Sequence, residues 1–231
     1  MAALAFPFRT AAAAGAAFFL TAAAPLRLSP SPAPLRPQIA PDPVVEEVDS
    51  YIAWRAGEAL EPDVRREVSR VVVEESRANS LDPLYVLAVI EVESSFRPDA
   101  VSPRKARGLM QLRTVTIREL ARRDLVPPQG EEADPVRNVR LGIRYLARLH
   151  SRYRDNDRAL AAWNAGPSAV DRELAEEGEL PVRWVRFARR VQREHRRLRA
   201  WLDAGFLPQG SRAEGRRPLA RELESRDRRP R

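Results

Sequence analysis

A run of apolar residues near the middle of the chain constrains the fold more than any other feature. Residues 84–90 read LYVLAVI, and a helix with this sequence presents apolar side chains in every direction. Asp82 and Pro83 before it are typical of a helix start, because Asp caps the first turn and proline suits the first helical position. Pro98 prevents the helix from continuing. Such a helix needs neighbouring elements on all sides, so the chain must supply them.

The remaining pattern predicts that these neighbours are helices. Apolar residues recur at helical spacing through most of the chain, for example in the stripe of Leu141, Tyr145 and Leu149, and no alternation of the strand type persists. Asn138 is expected to cap the helix that carries this stripe. Further helices are predicted over residues 45–53, 63–77, 109–123, 138–149, 158–163, from 167 onward, and 182–202. We therefore predict an all-α fold.

The two ends of the chain differ from the middle in composition. Residues 1–24 carry one arginine and then an uncharged run rich in Ala and Phe, which is typical of a signal peptide, with an uncleaved N-terminal anchor as the alternative. Residues 25–44 are dense in proline and predict an extended linker. Residues 45–203 are expected to form the folded domain, and residues 204–231 a basic, disordered tail. Both readings of the N terminus predict an exported protein of the periplasm or cell envelope.

The net charge of +8, carried almost entirely by arginine, favours anionic partners. Nucleic acid fits this charge but not an exported chain, so we expect no nucleic-acid partner. The basic helix at 182–202 is either a solvated outer face or a contact with an anionic envelope surface. The absence of cysteine excludes disulfides, thiolate catalysis and Cys-ligated zinc. The two histidines, His150 and His195, are expected at the surface, and neither a metal nor a cofactor is predicted.

Two glutamates at the end of the apolar helix are candidates for acid catalysis. Cleavage of a glycosidic bond requires a carboxylic acid that is still protonated near neutral pH. Burial and the negative end of a helix both disfavour the ionised form, and so raise the pKa of a carboxyl group held there. Helical geometry alone does not separate Glu91 from Glu93. The alternative is that both glutamates are ordinary surface residues that place charge in solvent at the end of the helix.

Four sequence blocks, in this order, carry a resemblance to a known family. They are EVESSFRPDAVS, RGLMQL, NVRLGIRYLARL and ALAAWNAGPSAV. Within about residues 64–192 the chain resembles the SLT-type lytic transglycosylases of the lysozyme-like superfamily, which are related to goose-type lysozyme. The resemblance implies a lysozyme-like helical domain with a substrate cleft. In that family the glutamate directly before a serine is the catalytic residue, which implies Glu93 and not Glu91.

The resemblance also implies a reaction and a partner, the glycan strands of peptidoglycan. The β-1,4 bond between N-acetylmuramic acid and N-acetylglucosamine would be cleaved to leave 1,6-anhydromuramoyl ends, with one carboxyl group as acid and then base. Two alternatives stay open: a lysozyme-type hydrolase, for which Asp99 and Asp134 are the candidate second carboxylates, and a catalytically weak peptidoglycan-binding protein on the same fold. The sequence does not identify envelope machinery that would act with the chain.

The same blocks imply a set of substrate contacts. Gly108 would let a sugar approach the backbone closely, or would only serve a turn. Met110 would offer a polarizable surface, or would only fill the core. Gln111 both donates and accepts hydrogen bonds, which suits an acetamido or hydroxyl group. Ser94 would contact the glycan or its peptide stem.

Trp163 and Asn164 complete the expected contacts and also mark a departure from the family. They align with a tyrosine–asparagine pair, so Trp163 would stack on a sugar but lacks the phenolic hydroxyl, and its indole N–H is a donor only. Two other positions depart similarly, because Phe187 stands where tyrosine is usual and Lys105 where glycine is common. These departures bear on activity and loop shape more than on the fold.

Overall fold

The computed structural model of this 231-residue chain describes residues 42–123 and 134–204. The predicted signal peptide or anchor, almost all of the predicted linker and the predicted tail after residue 204 lie outside the described residues. The described part contains eight α-helices and one short β-hairpin, which confirms the all-α class. None of these helices is both long enough and apolar enough to span a membrane.

The elements follow one another along the chain with short connections. The helices are α1 (Pro43–Ala56), α2 (Pro62–Ala78), α3 (Pro83–Ser94), α4 (Thr114–Arg123), α5 (Pro135–Tyr153), α6 (Asn156–Ala165), α7 (Pro167–Glu176) and α8 (Val182–Asp203). A 3₁₀ turn, Gly57–Ala59, follows α1. Between α3 and α4, strands β1 (Ala106–Arg107) and β2 (Leu112–Arg113) pair in antiparallel register, with Ala106 opposite Arg113.

Helix α3 lies at the centre of the core, as its sequence predicts. Every residue from Pro83 to Ile90 is buried, and the helix packs against α2 and α8. Asp82 caps it by accepting a hydrogen bond from the amide of Leu84 at 2.8 Å. Burying one large aliphatic side chain contributes roughly 1.5–3 kcal/mol, so this run of buried residues holds α3, and the carboxyl groups at its end, in one position.

Two predicted boundaries are wrong, and both errors involve Asn138. The cap of α5 is Asp134, which accepts from the amide of Val136 at 3.0 Å, because an Asp–Pro pair precedes Asn138 in the sequence. Asn138 instead lies buried inside α5. Its side chain accepts from the Met110 amide at 2.8 Å and donates to the Arg107 carbonyl at 3.0 Å. It thereby fixes the β1–β2 hairpin. The sequence predicts a helix from residue 109, but the hairpin occupies that segment and α4 begins only at Thr114.

The hairpin depends on residues with left-handed backbone conformation. Lys105 has φ of +59°, Gly108 of +79° and Gln111 of +47°. A Cβ on Gly108 would lie 2.7 Å from the Asn138 side chain, closer than real contacts allow, so only glycine fits there. Lys105 adopts at some cost in strain the conformation that glycine adopts freely, which accounts for the glycine common at this position in the family.

The two histidines do not lie free on the surface as expected. His150 is within 3.0 Å of the Tyr85 hydroxyl through Nε2, and His195 is within 2.7 Å of Asp82 through Nε2. Both rings also pack edge-on against the Tyr85 ring, and burial lowers the pKa of His150. They belong to the packing of α3 against α5 and α8.

We expect Asn138→Ala to lower the free energy of unfolding by about 1–3 kcal/mol, because it leaves the buried Met110 amide and the partly buried Arg107 carbonyl without these hydrogen bonds. Urea denaturation followed by circular dichroism measures this change. Asn79→Ala is the matched control, since Asn79 bonds to a carbonyl of its own helix from a partly exposed position, and should cost under about 1 kcal/mol. Equal losses in the two variants would contradict the role given to Asn138.

Candidate active site

A cavity of about 490 Å³ lies at the C-terminal end of α3. Its walls come from the hairpin and the loop before it, from the first turn of α4, from Tyr145 on α5 and from the end of α6. Among the described residues that line it, Glu93 supplies the only carboxyl group. A second cavity, of about 640 Å³, shares Thr116, Tyr145 and Gly166 with the first, so the two form one elongated cleft. The second cavity is lined by a carboxyl group of its own, that of Glu119.

The chemistry of the cavity centres on Glu93. Burial raises the pKa of its carboxyl group from 4.5 to about 7, against the opposing effects of a hydrogen bond from Trp163 and the charge of Arg190. The Trp163 indole Nε1 donates to Glu93 Oε1 at 2.6 Å. Near neutral pH the group is therefore present in both protonation states, and can give up a proton and take one back.

The structure separates the two glutamates that helical reasoning could not. Residues two apart on a helix point in nearly opposite directions. While Glu93 lines the cavity, Glu91 lies in an ion pair with Arg55, whose Nε donates to Glu91 Oε2 at 2.9 Å and whose Nη2 contacts Oε1. Glu91 is therefore held in a structural ion pair, whereas Glu93 is the glutamate that a ligand in the cavity would meet.

Four of the residues expected from the sequence meet in this cavity. Glu93 is joined there by Gln111, Trp163 and Asn164. The Gln111 amide nitrogen donates to the carbonyls of Ala100 at 2.9 Å and Gly108 at 3.0 Å. These bonds fix the side chain in a single orientation at the cavity wall.

Three expected substrate contacts lie elsewhere, which corrects their assignment. Ser94 is buried, and its hydroxyl donates to the Ile90 carbonyl at 3.2 Å. Met110 is fully buried against Gly142, where even one added carbon would collide with its sulfur. Gly108 faces Asn138 and does not line the cavity. All three contribute to the packing that supports the site. A sequence block shared with a family can therefore reflect close packing as well as contact with a ligand.

Tyr145 lines the cavity and was not among the expected contacts. Its ring centroid is 5.5 Å from that of Trp163, at an interplanar angle of 37°, and burial raises the pKa of its hydroxyl. The sequence signal was present in the block NVRLGIRYLARL, but the helical stripe assigned Tyr145 to packing. Although Trp163 carries no phenolic hydroxyl, Tyr145 brings one to the same cavity.

The other carboxylates and aromatic residues considered for the site lie away from it. Asp134 caps α5 and Asp99 is exposed outside the cavity lining. Phe187 is buried in the main core. Within residues 42–123 and 134–204, no group of three or more His, Cys, Asp or Glu side chains is arranged to hold a metal ion.

Comparison with known proteins identifies relatives that share this helical unit. Residues 70–183 match the family model of the Transglycosylase SLT domain. A putative soluble lytic murein transglycosylase of Haemophilus influenzae is 36% identical over 100 residues, which cover 42% of this chain and 17% of that protein. Membrane-bound lytic murein transglycosylase C of Klebsiella pneumoniae is 34% identical over 116 residues, covering 43% of this chain and 31% of the relative. The chain thus spans less than a third of the length of these relatives.

Solved structures share the fold. An inactive mutant of the lytic transglycosylase Slt from Pseudomonas aeruginosa has a TM-score of 0.52 and 24% identity, covering 70% of this chain and 30% of that chain. The 70-kDa soluble lytic transglycosylase from Escherichia coli has a TM-score of 0.55 and 18% identity. The likeness covers 75% of this chain and 32% of that chain. Both likenesses concern the lysozyme-like helical architecture.

The raised pKa of Glu93 predicts that Glu93→Gln stabilises the chain above neutral pH. The folded chain keeps this proton up to about pH 7, whereas the unfolded chain releases it near 4.5, so stability falls as the pH rises through that window. A neutral isostere removes this loss, and the gain is about 3 kcal/mol at most, at 1.36 kcal/mol per pH unit.

Urea denaturation at pH 4 and pH 8 measures this linkage. Glu93→Gln should unfold at nearly the parental urea concentration at pH 4 and at a higher one at pH 8. Glu74→Gln, at an exposed position on α2, is the control and should change stability little at either pH. A gain that is the same at both pH values would show that Glu93 has an ordinary pKa.

Proposed function

We propose that this chain, which belongs to the SLT-type transglycosylase family of the lysozyme-like superfamily, cleaves the glycan strands of peptidoglycan. One observation carries the proposal. Among the described residues of the first cavity, the only carboxyl group is Glu93, which is partly buried and has a pKa of about 7 and a fixed donor at Oε1. That is the state a general acid needs in order to protonate a glycosidic oxygen at neutral pH.

The proposed reaction uses Glu93 twice. In the first step its proton passes to the oxygen that links C1 of N-acetylmuramic acid to N-acetylglucosamine, and the C1–O bond breaks. In the second step the C6 hydroxyl of the same muramic residue forms a bond to C1, and its proton passes to the Glu93 carboxylate. The product ends are 1,6-anhydromuramoyl groups, no water is consumed, and Glu93 is again protonated.

The lining residues have separate parts in this proposal. The Trp163 N–H stabilises the carboxylate that exists between the two steps, since a hydrogen bond to the charged form favours it. Trp163 and Tyr145 together offer aromatic surface to the sugar rings. Gln111 and Asn164 offer polar groups for hydroxyl and acetamido substituents. We assign no substrate contact to Ser94, Gly108 or Met110.

The first cavity holds a single carboxyl group, which favours transglycosylation over hydrolysis. Glu119, the other carboxyl group of the cleft, lines only the second cavity. Glycoside hydrolases commonly use a pair of carboxyl groups on the two sides of the scissile bond. Asp99 and Asp134, the candidates for a second carboxylate, are absent from the described cavity lining. An intramolecular hydroxyl nucleophile needs only one group to act as acid and then base, so Glu93 alone suffices.

We also propose that the chain acts outside the cytoplasm, in the periplasm or cell envelope. The sequence of residues 1–24 predicts export, either by a cleaved signal peptide or with an anchor, and peptidoglycan lies in that compartment. Residues 45–203 would then be the catalytic domain, joined to its point of export by the proline-rich residues 25–44.

Glu93→Gln is expected to lower the release of soluble muropeptides from purified sacculi by at least about 100-fold, because proton transfer contributes that much or more. Mass spectrometry of the products formed by the parent protein tests the reaction type, because anhydro ends are lighter by one water than hydrolysed ends. Glu74→Gln is the control and should release products at the parental rate. Parental activity in Glu93→Gln would overturn the assignment, and hydrolysed ends would identify a lysozyme-type enzyme.

Trp163→Phe is expected to extend activity to higher pH. The rate should fall as the pH rises through the pKa of Glu93, about 7, because the protonated acid is lost. The indole hydrogen bond lowers this pKa, so its removal raises the pKa and moves the falling limb upward. Trp54→Phe is the control, because Trp54 is exposed on α1 and does not line the cavity, and it should leave the profile unchanged. A profile that does not move in Trp163→Phe would contradict the role given to the indole.

A further inference from the structure

A second groove, which we call the α8 groove, lies on the other side of the last turn of α3. Its walls are Glu91, Val92 and Ser95 from the end of α3, and a set of charged residues on α8. Those α8 residues are Arg190, Arg193, Glu194, Arg196 and Arg197. The last turn of α3 therefore separates two concave surfaces, the cavity that holds Glu93 and the α8 groove.

The α8 groove carries an excess of positive charge. Its two acidic groups are both neutralised, since Glu91 pairs with Arg55 and Glu194 pairs with Arg197. Arg190, Arg193 and Arg196 are exposed, and none of them forms an ion pair within the described part of the chain. These three guanidinium groups lie on one side of α8, because their spacing of three residues brings them to neighbouring positions on the helix. Their charge calls for an anionic ligand.

The α8 groove is also close to the proposed catalytic carboxyl group. The Arg190 Nη2 lies 3.4 Å from the Val92 carbonyl, one residue before Glu93. Arg190 also acts electrostatically on the Glu93 carboxyl group. A ligand in the α8 groove and a glycan in the cavity would therefore lie on two sides of the same helical turn.

We propose that the α8 groove binds the carboxylate-bearing peptide stem of peptidoglycan while the glycan occupies the cavity. This inference rests on the proposed function, since it assigns part of the same substrate. A peptide of about five residues spans roughly 17 Å when extended. This exceeds the diameter of a helix with its side chains, roughly 10–12 Å, so a stem could pass from a muramic residue beside Glu93 to the α8 groove at the end of α3. Guanidinium groups bind carboxylates in pairs of parallel hydrogen bonds. A concave surface beside the active carboxyl group favours this ligand over a flat anionic membrane.

The test compares two forms of one substrate. Intact sacculi carry peptide stems, and treatment with an amidase that removes the stems leaves naked glycan strands. The double variant Arg193→Glu with Arg196→Glu should lose kcat/KM on sacculi by about 10-fold more than on naked strands, because charge-assisted hydrogen bonds to the stem are lost. The double variant Arg158→Glu with Arg172→Glu changes the net charge equally at exposed positions outside both cavities and should preserve the parental ratio.

Three outcomes would overturn the inference. A loss of equal size on both substrates would mean that the arginines act on the glycan or on the fold. No loss on either substrate would mean that the α8 groove is unused. Weaker binding to vesicles of phosphatidylglycerol and phosphatidylcholine, with the substrate ratio unchanged, would identify an anionic lipid surface as the ligand.

A binding measurement separates this inference from the proposed activity. The stem peptides released by the amidase can be titrated into the parent protein and both double variants by calorimetry. Peptide binding that is lost only in Arg193→Glu with Arg196→Glu supports the α8 groove even if the parent cleaves neither substrate, in which case the proposed function alone fails. Absence of peptide binding to a parent that cleaves both substrates at equal rates would reject the α8 groove alone.

Discussion

The burial of one carboxyl group at the end of an apolar helix is the constraint on which the rest of the structure depends. The buried residues of α3 fix that helix against α2 and α8 and so place Glu93 at the cavity wall. Removal from water favours the neutral acid, and no paired cation of the kind that holds Glu91 offsets it. In the proposed reaction, the cost of removing the Glu93 carboxylate from water is the source of its acidity near neutral pH.

The parts of the fold that follow from local chemistry could be predicted from the sequence. The Asp–Pro pair at 82–83 defines the start of α3, and the apolar run after it defines burial on all sides. The same rule would have located the start of α5 at Asp134–Pro135, had it been preferred to Asn138. Asn138 was misread because a buried side chain that fixes a distant hairpin leaves no local sign that distinguishes it from a cap.

The site could be predicted only where chemistry and position agreed. Glu93, Gln111, Trp163 and Asn164 meet at the cavity because their polar or aromatic groups are at the ends of elements that converge there. Met110 and Ser94 belong to the same sequence blocks, but their side chains turn into the core. Tyr145 is the opposite case. It belongs to the apolar stripe of its helix, yet it lines the cavity. Whether a side chain faces the core or the cavity depends on how distant segments pack together. The local periodicity of the sequence carries no information about that packing.

In the proposed reaction, the balance at Glu93 accommodates a tryptophan at position 163, where the resemblance described above implies a tyrosine. Burial raises the pKa of the carboxyl group, whereas the indole N–H and Arg190 lower it, and the outcome is about 7. A group that must donate a proton and then accept one works best when its pKa lies near the working pH. The indole supplies the donor that keeps burial from raising the pKa further. A phenolic hydroxyl could also accept a hydrogen bond, but one donor bond to Oε1 is enough for this balance, and Tyr145 still brings a phenol to the same cavity.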